Sequence, residues 1–269
     1  MRTPRFSVVI PTYNEERFLP NILQDIAAQS WRPHEIIVAD NKSKDGTRRI
    51  ARKSGARVIM GGLPARGRNN GARATTTELI FFLDADVRLP ERFFENAINE
   101  MRRRKLDITT APSRPDQKPV KYAITFLATN AYTRLSAYTI PVAMGLCIIC
   151  TRAAWKRVDG FDEHLELCED NDFVERVAKE GYRFRVLRST KIIASVRRFE
   201  QRGHIRTASK IVYTILRRIT RGTYQNNTVE YGWGYAETKP DDKKSIDRQR
   251  IKPLSTQDRN AFIRKRTRR

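Results

Sequence analysis

The sequence predicts an α/β fold in which a mostly parallel sheet is flanked by helices and followed by a C-terminal helical extension. Short β-branched runs alternate with amphipathic stretches over about the first hundred residues. Several of these runs end abruptly in polar residues, which is typical of buried parallel strands that lead into loops. The chain has 269 residues, of which 39% are hydrophobic. That is enough for one large α/β domain with an appendage.

The first strand–helix–strand unit lies near the N-terminus. Residues 6–10 form a β-branched run that Pro11 ends. After residues 14–16, apolar residues recur on one face of a helix, with Pro20 in its first turn. Residues 35–39 form the second strand. Because a helix joins the two strands within about 35 residues, we expect them to run parallel.

The alternation continues to residue 107 and then breaks down. Asp45 is placed to cap the second helix. The early elements that follow are predicted as a helix over 47–54, a strand over 57–60, a helix over 66–76, a strand over 79–83 and a helix over 90–104. The later elements are predicted as a helix over 121–138, a buried strand over 145–151, a helix over 169–180 and a strand over 184–187.

The chain is strongly basic, with a formal net charge of +23 and a pI of about 10.5. Such a charge predicts attraction to nucleic acid, anionic lipid or a phosphorylated substrate, and does not choose among them. No stretch reaches the roughly 18–20 apolar residues of a membrane span. Residues 1–5 lead straight into a strand, without a signal peptide. These observations predict a cytoplasmic protein.

The three cysteines are too few, and odd in number, for a disulfide framework. Cys147 and Cys150 form a CxxC pair within an apolar, strand-like run. Residues at i and i+3 of a strand face opposite sides of the sheet. We therefore interpret them as buried thiols and not as zinc ligands.

The run over residues 81–83 ends in two carboxylates, Asp84 and Asp86. Alternate side chains of a strand share a face, so the two carboxylates are expected to point together. Such a pair suits Mg²⁺ or Mn²⁺, and either cation suits a diphosphate. The alternative is a polar turn after a strand.

Ligands of an open parallel sheet bind outside the carboxyl ends of its strands. The loops over residues 11–15, 40–45 and 84–86 are all expected there, with Arg68 on a glycine-bracketed segment nearby. These loops and Arg68 would bring together an aromatic ring, hydrogen-bond acceptors, a cation and a metal-binding carboxylate. This set of groups suits the binding of a nucleoside diphosphate. The alternatives are that Tyr13 packs on the sheet, that Asp40 forms an Asx-turn, and that Arg68 is solvated.

Five segments, in order, resemble the motif series of the family 2 glycosyltransferases, which have the Rossmann-like GT-A fold. These segments are residues 8–15, 36–47, 68–71, 82–86, and 160–163 followed by 169–170. The resemblance spans roughly residues 6–203. It implies an inverting enzyme that uses a nucleotide-sugar donor and a divalent metal, Mg²⁺ or Mn²⁺.

The resemblance implies a donor site at the first strands. Pro11, Tyr13 and Glu15 would border the nucleobase and ribose. Asp40 would accept a base N–H, and Arg68 would approach the nucleotide or diphosphate.

It also implies a metal and diphosphate site. Asp84 would contact the ribose and the metal, and Asp86 would be the surer metal ligand. Within residues 197–199, the basic Arg198 would clamp the diphosphate. His204 would be a further metal ligand, although a lone histidine is more often structural or solvated.

The resemblance makes Asp170 the general base, with Glu169 in reserve. Asp170 would take a proton from the acceptor hydroxyl as that oxygen attacks the anomeric carbon, and direct displacement inverts this centre. The alternative is that both carboxylates simply favour a helix N-terminus.

The predicted organisation is a catalytic domain over 1–204, with a nucleotide-binding half over 1–107 and an acceptor half over 108–204. An amphipathic extension over 205–235 and a basic, disordered tail over 236–269 would follow. The extension's basic helix over 205–221 would either lie on an anionic membrane or cover the catalytic domain. The first alternative predicts a peripheral protein on the inner face of the membrane, with a lipid-linked acceptor.

Two other classes of function remain open at this point. A nucleotidyltransferase could use the same crevice and would release pyrophosphate. A nucleic-acid-binding protein would explain the charge and the basic end over 264–269, but no known nucleic-acid-binding motif is present, so we do not expect nucleic acid as the main partner. The sugar and the acceptor are not specified by the sequence.

Overall fold

The computed structural model describes residues 4–165, residues 168–204 and positions 209 and 213, without the side chains of Arg198 and Arg202. The strands there are β1 (Phe6–Thr12), β2 (Glu35–Asp40), β3 (Arg57–Met60), β4 (Leu79–Leu83), β5 (Val87–Arg88), β6 (Ile108–Thr110), β7 (Ser113–Pro115), β8 (Cys147–Thr151), β9 (Phe184–Val186) and β10 (Ile192–Ala194). The helices are α1 (Leu19–Ala27), α2 (Thr47–Lys53), α3 (Pro64–Ala74), α4 (Phe93–Arg104), α5 (Val120–Ser136), α6 (Arg152–Arg157), α7 (Glu169–Lys179) and α8 (Arg197–Arg202). Apart from positions 209 and 213, the predicted helix over 205–221, the extension over 205–235 and the tail over 236–269 lie outside the described residues.

The strands form two sheets. The larger has seven strands in the order β3-β2-β1-β4-β8-β6-β9, and the smaller has three in the order β5-β10-β7. β1 is parallel to β2 and to β4, and β2 is parallel to β3. The predicted parallel, helix-connected half is therefore confirmed, and it places the carboxyl ends of β1, β2 and β4 at one edge.

The first strand is longer than the sequence predicts, since β1 continues through Pro11 to Thr12. A proline usually ends a strand because it has no N–H to donate. Pairing of β1 with β4 stops at Val9, whereas pairing with β2 continues to Thr12. Pro11 therefore interrupts no ladder on the β4 side.

Beyond residue 107 the sheet is mixed, because β8 lies antiparallel between β4 and β6. The sequence did not predict β5, β6, β7, β10, α6 or α8. These strands have two or three residues and these helices have six, which is too short to show a periodic pattern.

The core lies on both faces of the large sheet. One face packs Phe6 and Phe81 against Phe94 of α4, with ring centroids 4.9 to 5.2 Å apart. On the other face α3 lies so close to β1 that a Cβ on Gly71 would meet Val9 Cγ1 at 2.1 Å. Glycine at position 71 is what allows this approach.

The cysteines behave as the sequence predicts. Cys147 and Cys150 are free, fully buried, and belong to core clusters on opposite faces of the sheet. Burial raises the pKa of the Cys147 thiol to about 12. Both are therefore inert core residues.

A third, smaller cluster packs the inner face of α5 against the segment after β10. Tyr122 and Phe126 contact Val196 and Phe199 there. No helix in the part of the chain that the structure describes has the length and apolar character needed to cross a bilayer.

Candidate active site

Hydrogen bonds join the loops that follow β1 and β2. The Asn14 N–H donates to Ser43 Oγ at 2.9 Å, and the Lys44 N–H donates to Asn14 Oδ1 at 2.9 Å. Asn14 has a left-handed backbone, with φ of 53°, which is tolerated better by asparagine than by most residues. Tyr13, the residue that follows β1, is half-buried.

Asp40 is buried at the end of β2 and organises this edge. Its Oδ1 accepts from the Ser43 N–H at 3.0 Å, and its Oδ2 accepts from Thr12 Oγ1 at 3.1 Å. The Ser43 contact forms the Asx-type turn that the sequence offered as an alternative to base recognition. A carboxylate has further acceptor capacity, so recognition of a base by Asp40 stays a prediction.

Asp45 lies one position before Gly46, which is the N-cap of α2. The first helical residue of α2 is Thr47, and its N–H donates to Asp45 Oδ1 at 3.0 Å. Thr47 Oγ1 in turn accepts from the Glu15 N–H at 2.8 Å. Asp45 is therefore not the N-cap, which is Gly46, but it satisfies one N–H of the first helical turn, and Thr47 fixes the backbone of Glu15.

Arg197 joins two carboxylates that are distant in sequence. It donates to both oxygens of Glu15, at 2.8 and 2.7 Å, and its Nε lies 2.9 Å from Asp86 Oδ2. All three side chains are less than 10% exposed. We call Arg197, Glu15 and Asp86 the Arg197 cluster. Burial raises the pKa of Glu15 to about 7, despite the bidentate arginine, and the charges of Asp86 and Asp84 add to the rise.

The small sheet places Arg197 beside Asp86. β5 follows Asp86 directly and pairs with β10, with Val87 opposite Ala194. The Ser195 N–H donates to the Asp86 carbonyl at 3.3 Å, and Arg197 begins α8 two residues later. Sequence analysis assigned the cationic role to Arg198, whose side chain lies outside the described residues. Its neighbour Arg197 lies in the site, paired with Glu15 and Asp86, and the role of Arg198 stays a prediction.

Arg68 is the centre of a second ionic cluster. Its Nη2 donates to Asp84 Oδ1 at 3.1 Å and its Nη1 to Glu169 Oε1 at 2.6 Å. The neighbouring charge of Asp170 also favours the charged guanidinium. We call Arg68, Asp84, Glu169 and Asp170 the Arg68 cluster. The solvated alternative for Arg68 is wrong, because the side chain is only 3% exposed.

Asp170 has an unusual environment for a carboxylate. Burial, and then the charge of Glu169, raise the pKa of Asp170 to about 7, although Arg68 and the backbone N–H groups of Asn171 and Gly145 favour ionisation. A Cβ on Gly145 would lie 3.0 Å from Asp170 Oδ2 and 3.1 Å from Arg68 Nη2. Glycine at position 145 therefore leaves the space that these side chains occupy.

Asn69 holds the motif over 160–163 in place, a role that sequence analysis missed. Its Nδ2 donates to the Phe161 carbonyl at 2.7 Å, and its Oδ1 accepts from the Phe161 N–H at 2.9 Å and from Trp155 Nε1 at 3.3 Å. The Phe161 ring stacks on Phe173 of α7 at 4.1 Å. Asn69 thus positions the helix that carries Glu169 and Asp170. The position of Asn69 next to Arg68, within the motif over 68–71, is the sequence feature that could have indicated this role.

Asp84 and Asp86 belong to different clusters, which corrects the expectation that they point together. β4 ends at Leu83, and residues 84–86 lie in a turn where strand alternation no longer holds. Asp84 bonds Arg68 and Asp86 bonds Arg197. Both charges nevertheless act on Glu15, so the two clusters are neighbours.

His204 lies against α5. Its ring nitrogen is 3.1 Å from Thr125 Oγ1, and its ring centroid is 5.4 Å from that of Tyr122. Within the described part of the chain, no group of three or more His, Cys, Asp or Glu side chains is arranged to hold a metal ion. The predicted ligands Asp84, Asp86 and His204 are therefore not assembled as one set in this structure.

The carboxylates of the two clusters still suit a divalent cation. Glu15, Asp84, Asp86, Glu169 and Asp170 face the two arginines, Arg68 and Arg197. The excess of negative charge helps to raise the pKa values of Glu15 and Asp170. Carboxylate oxygens are the hard ligands that Mg²⁺ and Mn²⁺ prefer.

The fold is that of the GT-A transferases. A sequence profile described as "Glycosyl transferase family 2" matches residues 7–158. The chain belongs to family 2 of the glycosyltransferases.

Curated relatives match about half of the chain or less. The 4,4'-diaponeurosporenoate glycosyltransferase of Staphylococcus haemolyticus is 32% identical over 152 residues, which is 50% of this chain and 40% of that protein. The validoxylamine A glucosyltransferase of Streptomyces hygroscopicus subsp. limoneus is 33% identical over 105 residues, which is 35% of this chain and 23% of that protein. The chain thus spans less than half the length of these relatives.

Solved structures share the fold at low identity. The mannosyltransferase PcManGT from Pyrobaculum calidifontis, in complex with GDP-Man and Mn²⁺, has a TM-score of 0.59 and 22% identity, covering 73% of this chain and 58% of that one. Glucosyl-3-phosphoglycerate synthase from Mycobacterium tuberculosis, in complex with Mn²⁺, UDP and phosphoglyceric acid, has a TM-score of 0.57 and 17% identity, covering 81% and 79%. These similarities confirm the predicted fold class.

Proposed function

We propose that the protein is an inverting glycosyltransferase that moves a sugar from a nucleoside-diphosphate sugar to a hydroxyl or phosphate acceptor. One observation carries the proposal: the turn over 84–86 has the Arg197 cluster on one side and the Arg68 cluster on the other. The Arg197 cluster, with Asp84 and Arg68, would serve the nucleotide and its diphosphate, and Asp170 with Glu169 would serve the acceptor. The proposal includes a nucleotide-binding half over residues 1–107 and an acceptor half over residues 108–204.

The donor would bind at the carboxyl ends of β1 and β2. Pro11, Tyr13 and Asp40 would contact the base and ribose. Support comes from their position on hydrogen-bonded loops at one sheet edge. The solved relatives in complex with GDP-Man or UDP have the same fold.

A divalent metal, Mg²⁺ or Mn²⁺, when bound, would supply positive charge for the departing diphosphate. Asp86 and Asp84 would hold it. Arg197 pairs with the buried Asp86 and Glu15, and its cation would stabilise the negative charge that develops on the leaving group.

Asp170 would accept the proton of the acceptor hydroxyl at its carboxylate. Glu169 is committed to Arg68 at 2.6 Å, whereas the pKa of Asp170 is raised to about 7 by burial and by the charge of Glu169. A base with a pKa near the working pH is the most effective proton acceptor. Attack on the face opposite the diphosphate would invert the anomeric centre.

The acceptor side would be bounded by α5 and α7. The proposal also includes a lipid-linked acceptor and a peripheral position of the protein on the inner face of the membrane. The strongly basic composition supports an anionic surface as partner.

The proposal is tested by a panel of nucleotide sugars with Mn²⁺ or Mg²⁺, using thermal shift for binding and product analysis for turnover onto water or a supplied acceptor. We expect one donor class to stabilise the protein in a metal-dependent way and to release its nucleoside diphosphate. Release of pyrophosphate would indicate nucleotidyl transfer instead. Failure of every nucleotide sugar to shift unfolding would overturn the proposal.

A further inference from the structure

Helix α5 carries apolar side chains on two opposite faces. One face is buried through Tyr122 and Phe126. The opposite face has four large aliphatic side chains that are 71%, 62%, 70% and 72% exposed, in order Val120, Ile124, Leu127 and Leu135. Because they are spaced three, four or eight residues apart, they form one row along the helix. We call these four side chains the α5 row.

This exposure is concentrated in one place. Leu135, Val120 and Leu127 are the three most exposed large hydrophobic side chains in the described part of the chain. Isolated exposed apolar residues are ordinary, but a contiguous apolar row marks a docking surface. The helix has 17 residues and is therefore about 25 Å long.

The charged side chains of α5 itself have one sign, although Asp116 is exposed before the helix and Glu200 accepts from Gln117 Nε2 at 2.7 Å near its start. Lys118, Lys121 and Arg134 are exposed beside the row. No aspartate or glutamate occurs between Asp116 and Asp159. An apolar helix face flanked by cations and free of anions is the pattern of a helix that lies in an anionic membrane interface.

We propose that the α5 row docks the protein onto an anionic lipid surface, with the aliphatic side chains entering the interface and the flanking cations facing lipid phosphates. The inference is separate from sugar transfer, and it uses no donor or metal. It assigns the membrane contact to a helix in the middle of the chain and not to the segment over 205–221.

Charge argues against two other occupants of the row. The chain that continues from His204 starts beside α5, at Thr125. Its segment over 205–221 has no acidic residue and five basic ones, namely Arg206, Lys210, Arg217, Arg218 and Arg221. A second copy would bring a net charge of +23. Like charges repel in both cases, whereas anionic lipid attracts them.

The other face of α5 connects the row to the active site. Tyr122 and Phe126 pack against Val196 and Phe199, which flank Arg197. A membrane bound to the row would thus lie one helix diameter from the segment that supplies the cation of the Arg197 cluster.

The test is vesicle sedimentation of the full chain, with phosphatidylcholine vesicles that contain or lack phosphatidylglycerol. The double variant Ile124→Glu/Leu127→Glu introduces two charges into the row. The matched control, Met60→Glu/Leu63→Glu, changes the net charge equally at side chains that are 62% and 47% exposed elsewhere. We expect the apparent partition coefficient onto anionic vesicles to fall at least about tenfold in the row variant and about twofold or less in the control.

Three results would overturn the inference. Equal losses in both double variants would mean that binding follows net charge alone. Unchanged vesicle binding with a lower unfolding midpoint in the row variant would mean that the chain itself covers the row. A dimer in sedimentation velocity that the row variant dissociates would identify a second copy as the occupant. None of these outcomes would affect the donor-binding test.

Discussion

The two arginine-centred clusters differ in how they are built, although they are adjacent and similar in composition. In the Arg197 cluster one guanidinium satisfies Glu15 in a bidentate manner and reaches Asp86, and all three side chains are buried. In the Arg68 cluster the arginine is buried but its partners are more exposed, at 19% for Asp84 and 12% for Glu169. The first cluster is closed around its cation, and the second leaves carboxylates accessible. We therefore expect substitutions to affect stability and metal use in the first and proton transfer in the second.

The largest effect is expected at Asp86. Replacing it in Asp86→Ala removes the predicted metal ligand, and we expect kcat/KM to fall by about 10³-fold or more. The thermal shift produced by Mn²⁺ with the donor should disappear at the same time. A variant that keeps this metal-dependent shift would show that Asp86 is not the ligand.

Asp170→Asn should lower kcat by about 10²–10⁴-fold, because an amide cannot accept the proton. Donor binding should remain close to that of the unmodified protein, since the base acts only on the acceptor. Isothermal titration with the donor and single-turnover kinetics measure the two effects. Near-native turnover would transfer the role of base to another residue, with Glu169 as the first candidate.

Arg197→Ala tests how much the Arg197 cluster contributes to the stability of the fold. It leaves Glu15 and Asp86 buried without their cation, which costs about 3–5 kcal/mol in the free energy of unfolding. Arg88 provides the control, because it pairs with Asp25 at 2.7 Å but is 46% exposed, so Arg88→Ala should cost about 1 kcal/mol or less. Urea unfolding measures both. Equal losses would mean that burial does not set the strength of the Arg197 cluster.

Arg197 also shows where the sequence stops being informative. Strands β3 and β4 match their predicted ranges, because compact apolar runs between polar residues define them. Asp84, Asp86, Arg68 and Asp170 were selected from motifs, and the structure brings them to one crevice. The place of Arg197 beside Asp86 depends on the pairing of β5 with β10, which involves two residues of β5 and leaves no periodic signal. The diphosphate role of Arg198 stays a prediction.

Helix α5 shows a second limit. Apolar side chains on both faces give the sequence of a buried helix, so nothing in the pattern distinguishes the packed face from the exposed one. Only the contacts of Tyr122 and Phe126 with Val196 and Phe199 assign the inner face. These contacts join segments about 70 residues apart, which local periodicity cannot predict.

Asn69→Ala tests how the Arg68 cluster is positioned. The substitution leaves the buried Phe161 N–H and Trp155 Nε1 without their acceptor, and we expect a loss of about 2–3 kcal/mol in unfolding free energy. It should also lower kcat more than donor affinity, because α7 loses its support. Asn70→Ala is the matched control, since Asn70 bonds only the carbonyls of Met60 and Gly61 and Arg73. If both variants behave alike, Asn69 has no particular role in placing α7.

The smallest expected effect is on the pH dependence of kcat/KM. It tests whether Asp170 or Glu169 is the general base. Below pH 7 Asp170 is protonated and cannot act as a base, so kcat/KM should rise with pH and level off above the pKa of about 7. The negative charge of Glu169 contributes to that raised pKa, and Glu169→Gln removes it. The acid limb should then move to lower pH by about one unit, with a modest change in the plateau. A limb that stays in place would mean that the charge of Glu169 does not set the pKa of Asp170, whereas loss of the limb would assign the role of base to Glu169.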